Sequence, residues 1–347
     1  MRKCTYLLPL TPCLLFFYKK NTTFAPQKKH YKTFMINRVL LRTKALQTLY
    51  SHYKGGGKSL PIAEKEFFFS IEKTYDLYFY LLQLALDITR YAENKIDAGK
   101  NKLRPTAEEI NPNMRFAANR FTTQLAKNEQ FNDHLQKRKL SWVNYPELIK
   151  NLYEEITASD FYEEYMNAEL SDYSADKDIW KKIYKRILLN SEELDEAIEE
   201  QSVFWVDDIE IVISFILKTI KQFEAENGAE QELLPMFRDE EDREFGIKLL
   251  AKTIEQGDEY SKLIETHTRN WDLERIAFMD ILIMQMAIAE ICNFPTIPVN
   301  VTLNEYIEIS KKYSTEKSGI FVNGILDNVV NQLKAENKLI KVVSFKK

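Results

Sequence analysis

Arg38 and Arg42 stand four residues apart, so on a helix they share one face, where two guanidiniums can pair with phosphates or with the edges of unpaired bases. Lys44 and Gln47 lie off that face and read equally as nucleic-acid contacts or as solvent-facing residues. Far along the chain, Lys317, Ser318 and Asn323 flank the start of a helical run, whose free amides and positive end can receive a phosphate. Ser318 reads equally as a simple helix cap. Bond-making chemistry has no such footing. His30, His52, His134 and His267 are scattered without zinc-site spacing, and the chain carries neither a P-loop nor a GxGxxG turn. Glu192, Glu193, Asp195 and Glu199 have the look of a wet helix face and lack the pattern of a calcium loop. The expectation is a binding protein with no catalytic group, no metal and no cofactor.

The elements that must position these residues are helical. In 347 residues there are 9 glycines and 10 prolines, against roughly 24 and 17 at average usage. Turn-rich β architectures and Gly-rich nucleotide cradles are therefore poor fits. Ile36, Val39, Leu46, Tyr50 and Tyr53 line one stripe of a first helix that Gly55, Gly56 and Gly57 should end. Residues 60–230 read as a long helical region broken at Pro105, Pro112 and Pro146. Beyond it, Phe245 to Ile264 is a helix, and Asp272 can cap the run to Ile291. Pro295 and Pro298 force an extended link, and Thr302 with Glu305 has capping-box spacing for a short helix to Tyr313. Ser318 opens the last helix, through Leu333. Gly324 inside that helix costs about 1 kcal/mol relative to alanine, which is easiest to understand if another backbone lies close against it.

Charge is unevenly spread over a formal net of -4. Twelve of the 48 Lys and Arg precede residue 64 and no Asp or Glu does, leaving 36 basic against 52 acidic residues in the remainder. Such polarity suits an anionic partner at one end, although solvated charge accounts for it too. Residues 1–34 resemble a signal peptide in carrying Arg2 and Lys3 before an apolar run from Tyr6 to Tyr18. Pro9, Pro12, Lys19 and Lys20 interrupt or close that run, so an over-extended gene start or a disordered leader is expected. Of Cys4, Cys13 and Cys292, only the last lies in the body, which suits a reducing cytoplasm. No run of 18 or more uninterrupted apolar residues proposes a membrane span.

The stretch Ile297-Pro298-Val299-Asn300-Val301-Thr302-Leu303-Asn304-Glu305, then Ile309 to Tyr313 and Ser318-Gly319-Ile320-Phe321-Val322-Asn323-Gly324-Ile325-Leu326-Asp327, resembles the C-terminal signature of the NusB family of transcription antitermination factors. Ala45-Leu46-Gln47-Thr48-Leu49-Tyr50 resembles that family's first helix, and Ile276 to Glu290 the helix before its signature. The likeness covers about residues 35–54 and 240–330. It implies an all-α fold of two three-helix bundles, here enlarged by an inserted helical region. The expected division is a leader at 1–34, a first helix within 35–59, a helical insertion at 60–230 and a C-terminal helical region at 231–347.

The resemblance also implies binding to boxA-type single-stranded RNA together with the NusE-type small-subunit ribosomal protein. That pair would act on RNA polymerase with other Nus factors, chiefly in ribosomal RNA operons, without membrane involvement. Tyr50 and Phe321 match aromatic positions that the family brings near RNA, and Asp280, with Glu274 nearby, matches an acidic position presented to the ribosomal protein. Val39, Leu40 and Leu41 stand where compact relatives place basic residues, so the arginine block is thinned and weaker RNA contact is expected. The competing readings are a helical protein-binding adaptor on the same scaffold and, more remotely, an RNA-modifying enzyme, which would need a cofactor-binding turn this chain lacks.

Overall fold

The computed structural model describes residues 35–57, 59–268 and 277–342, and among these it contains helices and no strand. The first helix, α1 (Arg38–Lys54), begins where the Asn37 side chain accepts a hydrogen bond from the Leu40 amide at 2.9 Å. It ends at Gly55, and the left-handed Gly56 and Gly57 turn the chain away, as the glycine run predicts. Next comes α2 (Leu60–Lys100), 41 residues long, with Pro61 in its first turn where no amide is missed. Pro105 then separates it from α3 (Ala107–Ile110), which Thr106 and Glu109 close with a reciprocal capping box.

The chain wraps α2 with short helices: α4 (Arg120–Ala126), α5 (Glu129–Arg138), α6 (Pro146–Thr157), α7 (Asp160–Asn167), α8 (Tyr173–Arg186), α9 (Glu192–Gln201) and α10 (Ile209–Gln222). Of these, α4, α5, α6 and α10 pack directly on α2, and α8 closes against α4 and α10. An aromatic stack holds the group together. The Tyr80 ring lies 3.9 Å from Trp142 and 5.4 Å from Trp205, and the Trp142 indole donates to the Tyr80 carbonyl at 2.8 Å.

The remaining helices are α11 (Glu240–Glu255), α12 (Gly257–His267), α13 (Phe278–Asn293), α14 (Val299–Tyr313) and α15 (Ser318–Ala335). Here α13 is the hub: Leu282 to Ile291 are all buried, as a helix apolar on every side must be. Helices α1 and α11 pack on it as one group of three, α14 and α15 as another, and α12 bridges α13 to α15.

Two expectations need correction, and a third cannot be placed. The helix read over 245–264 is two, broken at Gln256, and at the break the Gly257 carbonyl accepts from the Gln285 side-chain amide at 3.1 Å and a side chain at Gly257 would meet the Tyr53 hydroxyl at 2.8 Å. The Thr302–Glu305 capping box does not form. Pro298 caps α14, so both residues lie inside the helix and spend their side chains elsewhere. The Asp272 cap falls outside the described residues, and α13 starts after Ala277.

At Gly246 in α11 a side chain would lie 2.6 Å from Cζ of Phe67 and 3.2 Å from Cδ2 of Leu41, so side chains of α1 and α2 pack directly on the α11 backbone there. Gly246→Ala should therefore destabilise the protein by about 1–3 kcal/mol through overpacking, despite a gain in helix propensity of about 1 kcal/mol. A denaturant midpoint that rises in this variant would contradict the close approach.

Candidate nucleic-acid interface

Arg42 is not on the surface. Its Nε and Nη2 donate to Glu290 Oε2 and Oε1, each at 2.8 Å, and its Nη1 reaches Glu305 at 3.3 Å. Glu290 is fully buried and accepts two further hydrogen bonds, from Thr302 Oγ1 at 2.9 Å and Tyr306 Oη at 3.1 Å. The guanidinium also lies 5.3 Å from the Phe245 ring centre. Burial alone would depress the Arg42 pKa, but Glu290 outweighs it and holds the group above its ordinary value. The same burial, with Glu290 beside it, drives the Tyr306 phenol well up. The expected RNA contact at Arg42 is thus corrected to a core ion pair joining α1, α13 and α14, which also employs the misread capping residues.

The other residues of α1 divide in the same way. Lys44 is buried too: its Nζ sits 2.6 Å from Asp208 Oδ2 and donates to the Phe204 carbonyl at 3.1 Å, so it fastens α1 to the start of α10 and is not available to RNA. Burial raises the Asp208 pKa even with Lys44 pulling it back. Gln47, half-buried, donates to Asp207 at 3.1 Å. Arg38 is half-buried and pairs with Glu241 at 2.7 Å and Asp242 at 3.2 Å. Helical geometry does put Arg38 and Arg42 on a common face, and both guanidiniums lie over Phe245, but that face meets α11.

What remains open on α1 lies against the first turn of α13. The Tyr50 side chain is exposed on α1, with its ring centre 5.9 Å from that of Phe278. Lys54 Nζ lies 4.6 Å from the Phe278 centroid and 5.9 Å from that of Tyr50. Two residues further along α13, Asp280 Oδ2 accepts from Ser318 Oγ at 2.8 Å, tying down the start of α15. The first turn of α13 thus meets α1 through Phe278 and the start of α15 through Asp280. There Lys317 is exposed and Phe321 and Asn323 are half-buried. Ile320 stands 83% exposed, and a side chain added at Gly324 would meet nothing within 4 Å. The backbone expected against Gly324 is not found among the described residues.

Two more expected contacts are corrected by burial. Ser318 is buried on Asp280 and accepts from the Thr315 amide at 3.1 Å, and Asp280 is itself buried, which removes it from any surface a ribosomal protein could touch. Glu274 lies outside the described residues. Sequence reasoning missed Phe278 and Lys54, and it missed Glu290, whose signal was present: a lone carboxylate in the apolar run Ile281 to Ile291 must find a cation. Among the described residues no cluster of His, Cys, Asp and Glu could hold a metal ion, and no helix is long and apolar enough to cross a membrane.

Helices throughout, a buried arginine keystone and an open patch of rings and lysines define an all-α binding scaffold. The model of the NusB family matches residues 210–331, which span α10 to α15. The chain is 36% identical over 132 residues to the transcription antitermination protein NusB of Salinibacter ruber, covering 36% of this chain and 82% of that protein. It is 41% identical over 100 residues to the protein of the same description from Koribacter versatilis, covering 29% and 68%, and 40% identical over 99 residues to that from Chloroherpeton thalassium, covering 28% and 47%. This chain belongs to the NusB family. No solved structure matches it. It is longer than these relatives, with extra helical material toward its N-terminus, and the family match begins inside the span 60–230 read as an insertion.

Removing either half of the keystone should leave a buried charge unpaired, so Arg42→Ala and Glu290→Ala are each expected to cost about 3–5 kcal/mol. Arg38→Ala, which breaks partly exposed pairs, should cost about 1 kcal/mol or less. Urea unfolding followed by circular dichroism checks this; an Arg42→Ala protein as stable as the parent would contradict the assignment.

Proposed function

We propose that this chain is a transcription antitermination factor that binds boxA-type single-stranded RNA in the cytoplasm, together with a NusE-type small-subunit ribosomal protein. Through that partner and other Nus factors it would act on RNA polymerase in ribosomal RNA operons. The observation that carries this reading is the exposed Tyr50 with Lys54 against Phe278 at the start of α13, supported by the exposed Lys317 at the start of α15. The NusB relatives support the antitermination role, and the rings and lysines support the ligand class. A flat, exposed ring such as Tyr50 can stack on an unpaired base, and Lys317 at the positive end of α15 can neutralise a phosphate. Arg38 and Gln47 lie at the margin, where they would have to leave Glu241 and Asp207 to reach RNA.

Because Arg42 and Lys44 are consumed internally, few cations face the RNA. With two or three phosphates neutralised, log K should fall against log salt with a slope of only about -2. In mobility-shift titrations of boxA RNA, Tyr50→Ala should weaken binding about tenfold, the loss of one stacked base, and Lys317→Glu should weaken it and flatten the salt slope. Undiminished binding in both variants would refute the interface.

Gly324→Ala offers a second check. Facing open space, the substitution should stabilise the helix by up to about 1 kcal/mol. If the bound RNA or its ribosomal partner uses that gap, the stabilised variant should nevertheless bind boxA RNA and partner less tightly. Equal or tighter assembly would show that the gap is idle.

A further inference from the structure

A second exposed surface lies on the helical region that precedes the family match. The short turn Val203–Trp205 between α9 and α10 points one large ring inward and its neighbours outward. Trp205 is buried, its indole donating to the Lys73 carbonyl at 2.6 Å, while Lys44 holds the Phe204 carbonyl at 3.1 Å. Pinned from both sides, the turn leaves Val203 77% exposed and keeps Phe204 and Val206 on the surface. The exposed Phe69 of α2 meets Phe204 edge to face, ring centres 5.2 Å apart, so the apolar residues are continuous across two elements. Rigidly displayed apolar side chains of this kind mark interaction sites.

Charge identifies what would cover them. Leading directly into the turn, α9 carries Glu192, Glu193, Asp195, Glu196, Glu199 and Glu200 in ten residues, and none has an ion-pair partner among the described residues. Several other surface helices do match a carboxylate within the helix, as Asp178 with Lys181, Glu240 with Arg243 and Glu308 with Lys311. Glu199 and Glu200 also stand in the last turn of α9, where the helix dipole disfavours negative charge, and no basic residue is there to offset it. Burial, with Glu199 and Glu192 close by, lifts the Asp195 carboxyl above its usual range. On the far rim Lys73 lies 5.4 Å from the Phe69 ring centre, but it also faces Asp76. RNA would be repelled from this ledge.

We propose that the Val203–Val206 turn with Phe69, bordered by α9, docks a basic amphipathic segment of a partner protein. Apolar anchors would cover Val203, Phe204 and Phe69, and lysines or arginines would meet the α9 carboxylates.

The test uses the full chain and a fluorescent peptide of about 18 residues, with Leu at i, i+3, i+4 spacing and Lys elsewhere, read by anisotropy at physiological salt. Val203→Ser with Val206→Ser, and separately Glu196→Lys with Glu199→Lys, should each weaken binding at least tenfold. Glu226→Lys with Glu230→Lys, an equal charge change on exposed residues elsewhere, should leave it unchanged. All these positions are on the surface or close to it, and circular dichroism verifies that each variant folds. Equal weakening by the Glu226 and Glu230 pair, indifference to Val203 and Val206, or self-association of the chain that vanishes in the Val203→Ser, Val206→Ser protein would each overturn the proposal.

Discussion

The buried ion pair between Arg42 and Glu290 is the constraint on which the rest depends. Two residues 248 positions apart meet through a pair of 2.8 Å hydrogen bonds in a site almost closed to water. Desolvating both charges is costly, so such a pair adds little net stability over an apolar substitute, yet breaking it strands a charge. What it supplies is placement. Two parallel hydrogen bonds from a planar guanidinium fix both the depth and the rotation of α1 against α13, in a way greasy contacts do not. Thr302, Glu305 and Tyr306 extend the grip to α14.

Placement matters because α2 to α9 lie between α1 and the helices it must join. Lys44 and Asp208 form a second buried pair on a different face of α1, at the point where the added helical region hands the chain back to α10. With both pairs made, α1 can rotate neither toward α11 nor toward the Val203–Trp205 turn. Its remaining stripe, with Tyr50 and Lys54, is presented beside Phe278. The cations of α1 that a sequence reader would assign to RNA are therefore largely those that build the frame.

The helical class, the glycine stop after α1 and the proline breaks were readable because each follows from local chemistry: backbone freedom, a missing amide, a capping oxygen. The signature residues from Ile297 to Asp327 also identified the family. Burial was harder to read. Arg42, Lys44, Ser318 and Asp280 are all polar, and nothing local tells a helix whether a polar side chain meets water or a complementary charge from a distant element. Thr302 and Glu305 show the same blindness, since their spacing fits a cap equally well when both serve a buried carboxylate one helix away. The patch at Val203 was invisible for the opposite reason: apolar residues are read as core, and only the inward turn of Trp205 shows its neighbours to be outside.

The most direct test of this account separates the frame from the interface by replacing both charges at once, Arg42→Met with Glu290→Leu, and measuring boxA RNA affinity of the folded double variant beside its urea stability. If Arg42 serves placement alone, apolar packing should recover most of the stability lost in either single variant, and RNA affinity should match the parent within about twofold. A double variant that is as stable as the parent but binds RNA tenfold more weakly would put Arg42 in the RNA interface and contradict the account.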